Sequence, residues 1–245
     1  MYRDLSRLKI NELKDFVTDL ELSGYYSILT IYNSNQHDGW IKAAHIINKN
    51  EKIKYNIAIR PHVISPEYCI MMCRSFNNIQ PNRLMINFVV GIINNDEDNL
   101  VSKEDRVINF IKFIKDFNKK NNGMAEIAIS GSSNTVIDLA NQYGDVLFTE
   151  YTAYQNVQKY IKNVKKIGVV IKVCIRDTDE EAKSFIEKMG EKNWDVRFYG
   201  SYEKIKKNII DINKLNVSDI MISCVPSDDN IKEINRLVKE INGLS

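Results

Sequence analysis

The chain has 245 residues, 44% of them hydrophobic, and a formal charge of +2 at pH 7. That is enough to bury one sizeable core, and α/β barrels commonly use about this length as a single domain, so residues 1–245 are read as one unit. The near-neutral balance, four cysteines, no leader-like start and no apolar run near the roughly 18 residues that span a bilayer argue against nucleic acid, a disulfide framework or a membrane, and the expected compartment is the cytoplasm.

Helical spacing opens the chain: Leu13, Phe16, Val17 and Leu20 share one face, closed by Gly24 at a C-cap. The β-branched and aromatic run at 26–32 predicts a strand, 39–48 a helix, 53–60 a strand, 66–77 a helix and 84–90 a strand. A long helix over 103–118 precedes a strand at 125–129, a helix at 134–143, a strand at 146–149 and a helix at 153–163. The lysines of 159–166 read as the solvated face of that last helix. A strand at 168–175, helices at 179–189 and 201–215, a strand at 219–224 and a helix at 229–241 complete the alternation. Strands alternating with amphipathic helices predict a parallel sheet covered by helices.

In an α/β barrel, ligands bind at the carboxyl ends of the strands. Gly131-Ser132-Ser133 is the best physical case: a glycine and two hydroxyls between a strand and a helix offer backbone N–H groups and the positive helix end to a phosphate. Ser132 or Ser133 could equally be only an N-cap. Asn87 lies inside an apolar strand, where a buried amide needs a partner, either across the barrel interior or on a ligand. Arg60, before Pro61, reads as an ion pair or an anion holder, and Thr149 and Tyr151 flank the next strand end. His37 beside Asp38 suggests acid–base work although loop neighbours seldom face each other, and His62 ends a strand, whereas His45 reads as a packed or surface residue. Cys69 and Cys73, four apart on a helix, read as core packing, and three scattered histidines make no metal site.

The runs Ala58-Ile59-Arg60-Pro61, Ser65-Pro66, Asn82-Arg83-Leu84 and Asn87-Phe88-Val89-Val90-Gly91 form the first of three ordered blocks. The second is Gly131-Ser132-Ser133-Asn134 with Ile137 to Ala140 and Gly144-Asp145-Val146, and the third runs from Ile175 to Ala182. Together they resemble the bacterial luciferase-like, flavin-dependent monooxygenases, and within them the alkanesulfonate monooxygenase branch. The resemblance implies an α/β fold, a (β/α)8 TIM-barrel, here incomplete because seven long strands are visible and the first is missing. The two edges left open would be covered by the apolar piece at 196–199, by the amino-terminal residues or by another subunit, which implies a homodimer or a heterodimer with a luciferase-like homologue.

The resemblance further implies reduced FMN, supplied by a separate flavin reductase, as cofactor, with Gly131, Ser132 and Ser133 at its phosphate and Asn87 and Thr149 beside its ring. His37, His62 and Lys172 are then the groups nominated for proton transfer. At the positions of the branch's active-site residues this chain has Gln36, Val170, Lys172 and Val225, so sulfonate cleavage is not the implied reaction. What remains is monooxygenation of an unidentified small organic substrate. Two alternatives stay open: a catalytically degenerate subunit that binds flavin or stabilises a partner, and a deazaflavin-dependent oxidoreductase.

Overall fold

A computed structural model of the chain describes residues 2–4, 10, 13–31, 38–49, 52–90, 101–188, 196–224 and 228–244. In chain order these form β1 (Tyr2–Asp4), α1 (Leu13–Leu22), β2 (Ser27–Thr30), α2 (Gly39–Ile46), β3 (Lys54–Ile59), α3 (Pro66–Ile79) and β4 (Leu84–Val89). Next come α4 (Lys103–Asn121), β5 (Glu126–Ser130), α5 (Asn134–Tyr143), β6 (Val146–Glu150), α6 (Tyr151–Val157) and β7 (Lys166–Ile175). The last elements are α7 (Asp179–Lys188), β8 (Phe198–Gly200), α8 (Tyr202–Asn213), β9 (Asp219–Cys224) and α9 (Asp228–Ile241).

Every strand pairing is parallel. The order β6-β5-β4-β3-β2-β1-β9-β7, with β6 also paired to β7, closes a ring, and β8 adds to the end of β7 beyond the reach of β6. This is the expected (β/α)8-type barrel, and its deficiency is at the expected place. The first position holds only three residues, Tyr2–Asp4, hydrogen-bonded to β2 on one side and β9 on the other. Tyr2–Asp4 therefore lie between the two edges, paired by backbone to both, although the sequence there shows no apolar alternation. Residues 198–200 instead pair in parallel beside the end of β7, away from the gap between β2 and β9.

Local chemistry sets the helix starts. Asp38, Ser65, Ser102, Ser133 and Ser201 each accept a hydrogen bond from a backbone N–H in the first turn of α2, α3, α4, α5 and α8, the preferred way to satisfy donors that have no intrahelical partner. The main core lies between strands and helices, where Phe88 packs edge-on against Phe113 and Phe117 at centroid distances of 5.5 and 5.1 Å. A smaller cluster of Leu29, Ala58, Met85, Ala128, Val146, Phe148 and Met221 fills the barrel interior. At the amino-terminal rim Glu126 bridges Lys54 (3.0 Å) and Lys166 (2.9 Å). Buried Arg83 donates to the Ile53 carbonyl and lies over the Tyr55 ring at 5.1 Å, joining the start of β4 to that of β3.

The helix after β6 stops short of its expected end. Helical structure after β6 ends at Tyr160, not at residue 163, as α6 followed by a short 3-10 turn over Gln158–Tyr160. Asn141 Oδ1 accepts from the backbone N–H groups of Lys162 (2.8 Å) and Asn163 (3.2 Å), so a side chain on α5 takes donors that the helix would have used. The lysines of 159–166 are accordingly no single helix face, and Lys166 belongs to β7 and the ion-pair network. Cys69 and Cys73 are fully buried as expected, and the bond to Cys73, with burial, pushes the Cys69 thiol well up.

Candidate functional site

Side chains alternate across each strand, and the composition of the two clusters identifies the sides. Leu29, Ala58, Met85, Phe148 and Met221 face the barrel interior, whereas Ile28, Ile57, Ile86, Leu147 and Ile222 face the helices. Continuing the inner series towards the carboxyl ends brings Ile31, Arg60, Asn87, Ser130, Glu150, Val170, Lys172 and Ser223 to the mouth. Below them the interior is closed. Phe148 packs over Gly168, whose missing side chain makes the space, so a ligand on this axis sits at the mouth.

The centre of the site is a pair. Ser130 Oγ donates to Asn87 Oδ1 at 2.7 Å across neighbouring parallel strands, Ser130 lying two residues beyond Ala128, the register partner of Asn87. Asn87 is buried and Ser130 half-buried, so the bond fixes the carboxamide and leaves its nitrogen as the group able to donate elsewhere. Directly after Ser130 the chain turns at Gly131, with φ of 142°, a left-handed conformation that side chains rarely adopt. A Cβ there would meet Val136 at 3.2 Å. The Gly131 N–H is taken by the Phe148 carbonyl at 2.9 Å. Ser133 is the α5 cap, its Oγ accepting from Val136 N at 3.4 Å, while Ser132 is exposed. The two serines thus differ: one terminates the helix, the other presents a hydroxyl at its positive end.

Thr149 does not belong with them. It sits between inward Phe148 and inward Glu150 and in register with outward Val169, so it faces the helix layer, where its hydroxyl is buried without a hydrogen-bond partner. Its expected place beside a cofactor ring is corrected by strand alternation. Lys172 does reach the mouth, with Nζ 3.9 Å from Glu150. His62 is half-buried just after β3, and His45 is exposed on α2. His37, Gln36 and Val225 lie outside the described residues.

Two polar groups escaped the sequence reading. Glu150 lies at the barrel mouth with a carboxylate oxygen 3.9 Å from Lys172 Nζ. Asn56 faces the interior two residues before Ala58, fully buried, with both carboxamide atoms unpartnered. The signal for Asn56 was available, because it interrupts an apolar strand just as Asn87 does.

Beside the mouth, a cleft of about 640 Å³ opens between α2 and α3, walled by Trp40, Ile41, Val63, Ile64, Tyr68 and Met72. Its polar residues Asp38 and Ser65 serve as helix caps. A second cleft of about 580 Å³, with Arg176, Asp177, Glu181, Tyr202, Asp229 and Lys232, lies beyond the ends of β7 and β9. Among the described residues no group of three or more His, Cys, Asp or Glu could hold a metal ion, and no helix is long and apolar enough to cross a membrane.

No protein-family model matches the chain. Solved structures share its fold over nearly the full length of both chains. The coenzyme F420-dependent tetrahydromethanopterin reductase from Methanopyrus kandleri has a TM-score of 0.81 at 10% identity, with 100% of this chain and 99% of that one covered. A riboflavin lyase solved with modified FMN and riboflavin has a TM-score of 0.77 at 10% identity, covering 97% of this chain and 86% of that one. A long-chain alkane monooxygenase has a TM-score of 0.75 at 8% identity, covering 99% and 91%. The common element is a parallel barrel; at these identities it is the fold that is shared.

Proposed function

We propose that the chain is a luciferase-like flavoprotein that binds reduced FMN at the mouth of the barrel and uses it for monooxygenation of a small organic substrate. The observation that carries this reading is the Asn87–Ser130 bond running directly into the Gly131-Ser132 turn at the start of α5. The fold neighbours support it, since the riboflavin lyase was solved with modified FMN. The residues present suit the cofactor at its phosphate end: a turn at Gly131 that carries no side chain of its own, an exposed Ser132 hydroxyl, and first-turn N–H groups of α5 without intrahelical partners.

In this reading Ser132 and the first turn of α5 hold the phosphate, and the Asn87 amide nitrogen, oriented by Ser130, donates to the ring. The bound cofactor supplies electrons for oxygen chemistry. The chain's own part is to orient it, to exclude water through the apolar interior below the mouth, and to hold protons at Lys172 and His62. Thr149 has no role here, and a flavin reductase is the partner proposed to supply the reduced cofactor. The degenerate-subunit alternative loses its motive, since Tyr2–Asp4 close the ring.

A deazaflavin is the second reading, favoured by the likeness to two coenzyme F420-dependent proteins, one of them a secondary alcohol dehydrogenase with a TM-score of 0.73 at 11% identity, covering 96% of each chain. Anaerobic titration with reduced FMN and, separately, with reduced coenzyme F420 tests both. Saturable binding of one and not the other selects the cofactor; binding of neither overturns the proposal.

A further inference from the structure

Asn56 is a carboxamide in an apolar place. It is fully buried, and neither its side-chain oxygen nor its nitrogen has a hydrogen-bond partner among the described residues. Its register partners on β2 and β4, Leu29 and Met85, are apolar members of the interior cluster. Burying both polar atoms unpaired destabilises the fold, and an apolar side chain of similar size would avoid that loss. Buried polar atoms left over by the protein are satisfied by ordered water where a second polar group stands within reach.

Asn87 is that second group. On the adjacent strands β3 and β4 four inward residues form the corners of a rectangle. Asn56 stands beside Met85, and one inward step nearer the mouth Ala58 stands beside Asn87. The two asparagines share a diagonal. At about 4.8 Å between strands and about 3.3 Å of rise per residue, it spans about 8 Å between Cα atoms, a length that two carboxamides with a water between them fill. The register partners of Asn87 on both sides, Ala58 and Ala128, carry only methyl groups. Asn87 Oδ1 has two lone pairs, and the bond from Ser130 Oγ occupies one of them.

We infer that Asn56 is a positioning residue for the site: ordered water held by its carboxamide donates to the second lone pair of Asn87 Oδ1. Ser130 and this water then hold the oxygen from two sides, where a single bond leaves the carboxamide free to turn about Cβ–Cγ. The Asn87 nitrogen is the atom left to face the mouth, so the position selects a ligand atom that accepts a hydrogen bond, such as a ring carbonyl. The inference rests on the reading of the mouth as a flavin site. It adds to that reading a group from the layer below, which touches no ligand and acts only through Asn87.

The test separates position from stability. Asn56→Leu and Asn56→Ser are made in the full chain, and folding is checked by circular dichroism and urea unfolding. Asn56→Leu is expected to be at least as stable as the parent and yet to bind reduced FMN about tenfold more weakly in anaerobic titration. Asn56→Ser keeps a hydroxyl for the water and is expected to stay within about threefold of the parent. A second readout needs no cofactor: the side-chain NH2 signals of Asn87 in the NMR spectrum of a chain carrying isotope-labelled asparagine, identified by their loss in Asn87→Leu. These signals are expected to shift in Asn56→Leu and to stay near the parent's in Asn56→Ser. Unchanged flavin affinity in folded Asn56→Leu, or Asn87 signals that do not move, overturns the inference. Should Asn56→Leu fail to fold, Asn56→Val is read in its place against the same outcomes. If the parent binds no flavin, the proposed function falls, and the Asn87 signals alone decide whether Asn56 positions Asn87.

Discussion

Phe148 and Gly168 share one volume in the barrel interior: a Cβ on Gly168 would stand 2.2 Å from the Phe148 ring. The two residues are in register on neighbouring strands, so the large side chain requires the absent one. Gly168→Ala is expected to destabilise the fold by about 1–3 kcal/mol, the usual cost of overpacking, and Phe148→Leu in the same chain to restore part of it. Urea unfolding of the single and double variants checks this; additive losses would show that the two sites do not interact.

Ser130→Ala removes the donor to Asn87 Oδ1. A buried acceptor left without its partner costs about 1–3 kcal/mol. The loss is expected to be divided between thermal stability and flavin affinity, because a freed carboxamide also loses its orientation. Unchanged values in both measurements would remove this pair from the site.

The serines after Gly131 are expected to separate. Ser133→Ala removes a helix cap and should lower stability by about 0.5–2 kcal/mol. Ser132→Ala touches an exposed hydroxyl and should leave the melting temperature alone while weakening reduced FMN by about 1–3 kcal/mol, the range for a bond to a charged group. If Ser132→Ala binds flavin like the parent, the phosphate is held elsewhere.

Burial raises the Asp219 carboxyl above its ordinary 3.8 against the opposing pull of Lys166, and one of its oxygens is buried without a partner. A raised carboxyl means that the folded state holds the proton more tightly than the unfolded chain. Its effect is absent below 3.8, and stability is lost as pH rises from there through the raised folded value. Asp219→Asn should therefore gain stability relative to the parent across that rise and keep a constant advantage above it. Chemical denaturation over a pH series reads the difference, and a variant less stable than the parent at neutral pH contradicts this account.

Deleting residues 1–4 leaves β2 and β9 with unpaired facing edges. Such edges recruit other strands. The shortened chain is expected to associate or aggregate at concentrations where the full chain does not, as measured by light scattering. Identical behaviour of the two would mean that three residues contribute little to closing the ring.

Much of the fold follows from local patterns in the sequence. The alternation of apolar strands with amphipathic helices determines a parallel, helix-covered sheet, and Ser65-Pro66 and Ser133-Asn134 mark helix starts because capping uses neighbours in sequence. The turn at Gly131 and the burial of Asn87 are legible for the same reason. Three features are not, because each depends on which strand lies beside which. Tyr2–Asp4 carry no apolar pattern and become a strand only between β2 and β9. Thr149 reads as a site residue until register with Val169 turns it to the helices. Arg60 and Lys172, 112 positions apart, become opposite walls of one mouth only when β6 pairs with β7 and closes the circle. Sequence alone determined the elements and the strand-end polar groups, since these depend on covalent neighbours and on the period of the side chains. Ring closure decided which of those groups face one another, since strand partners far apart in the chain meet only through long-range hydrogen bonding and packing.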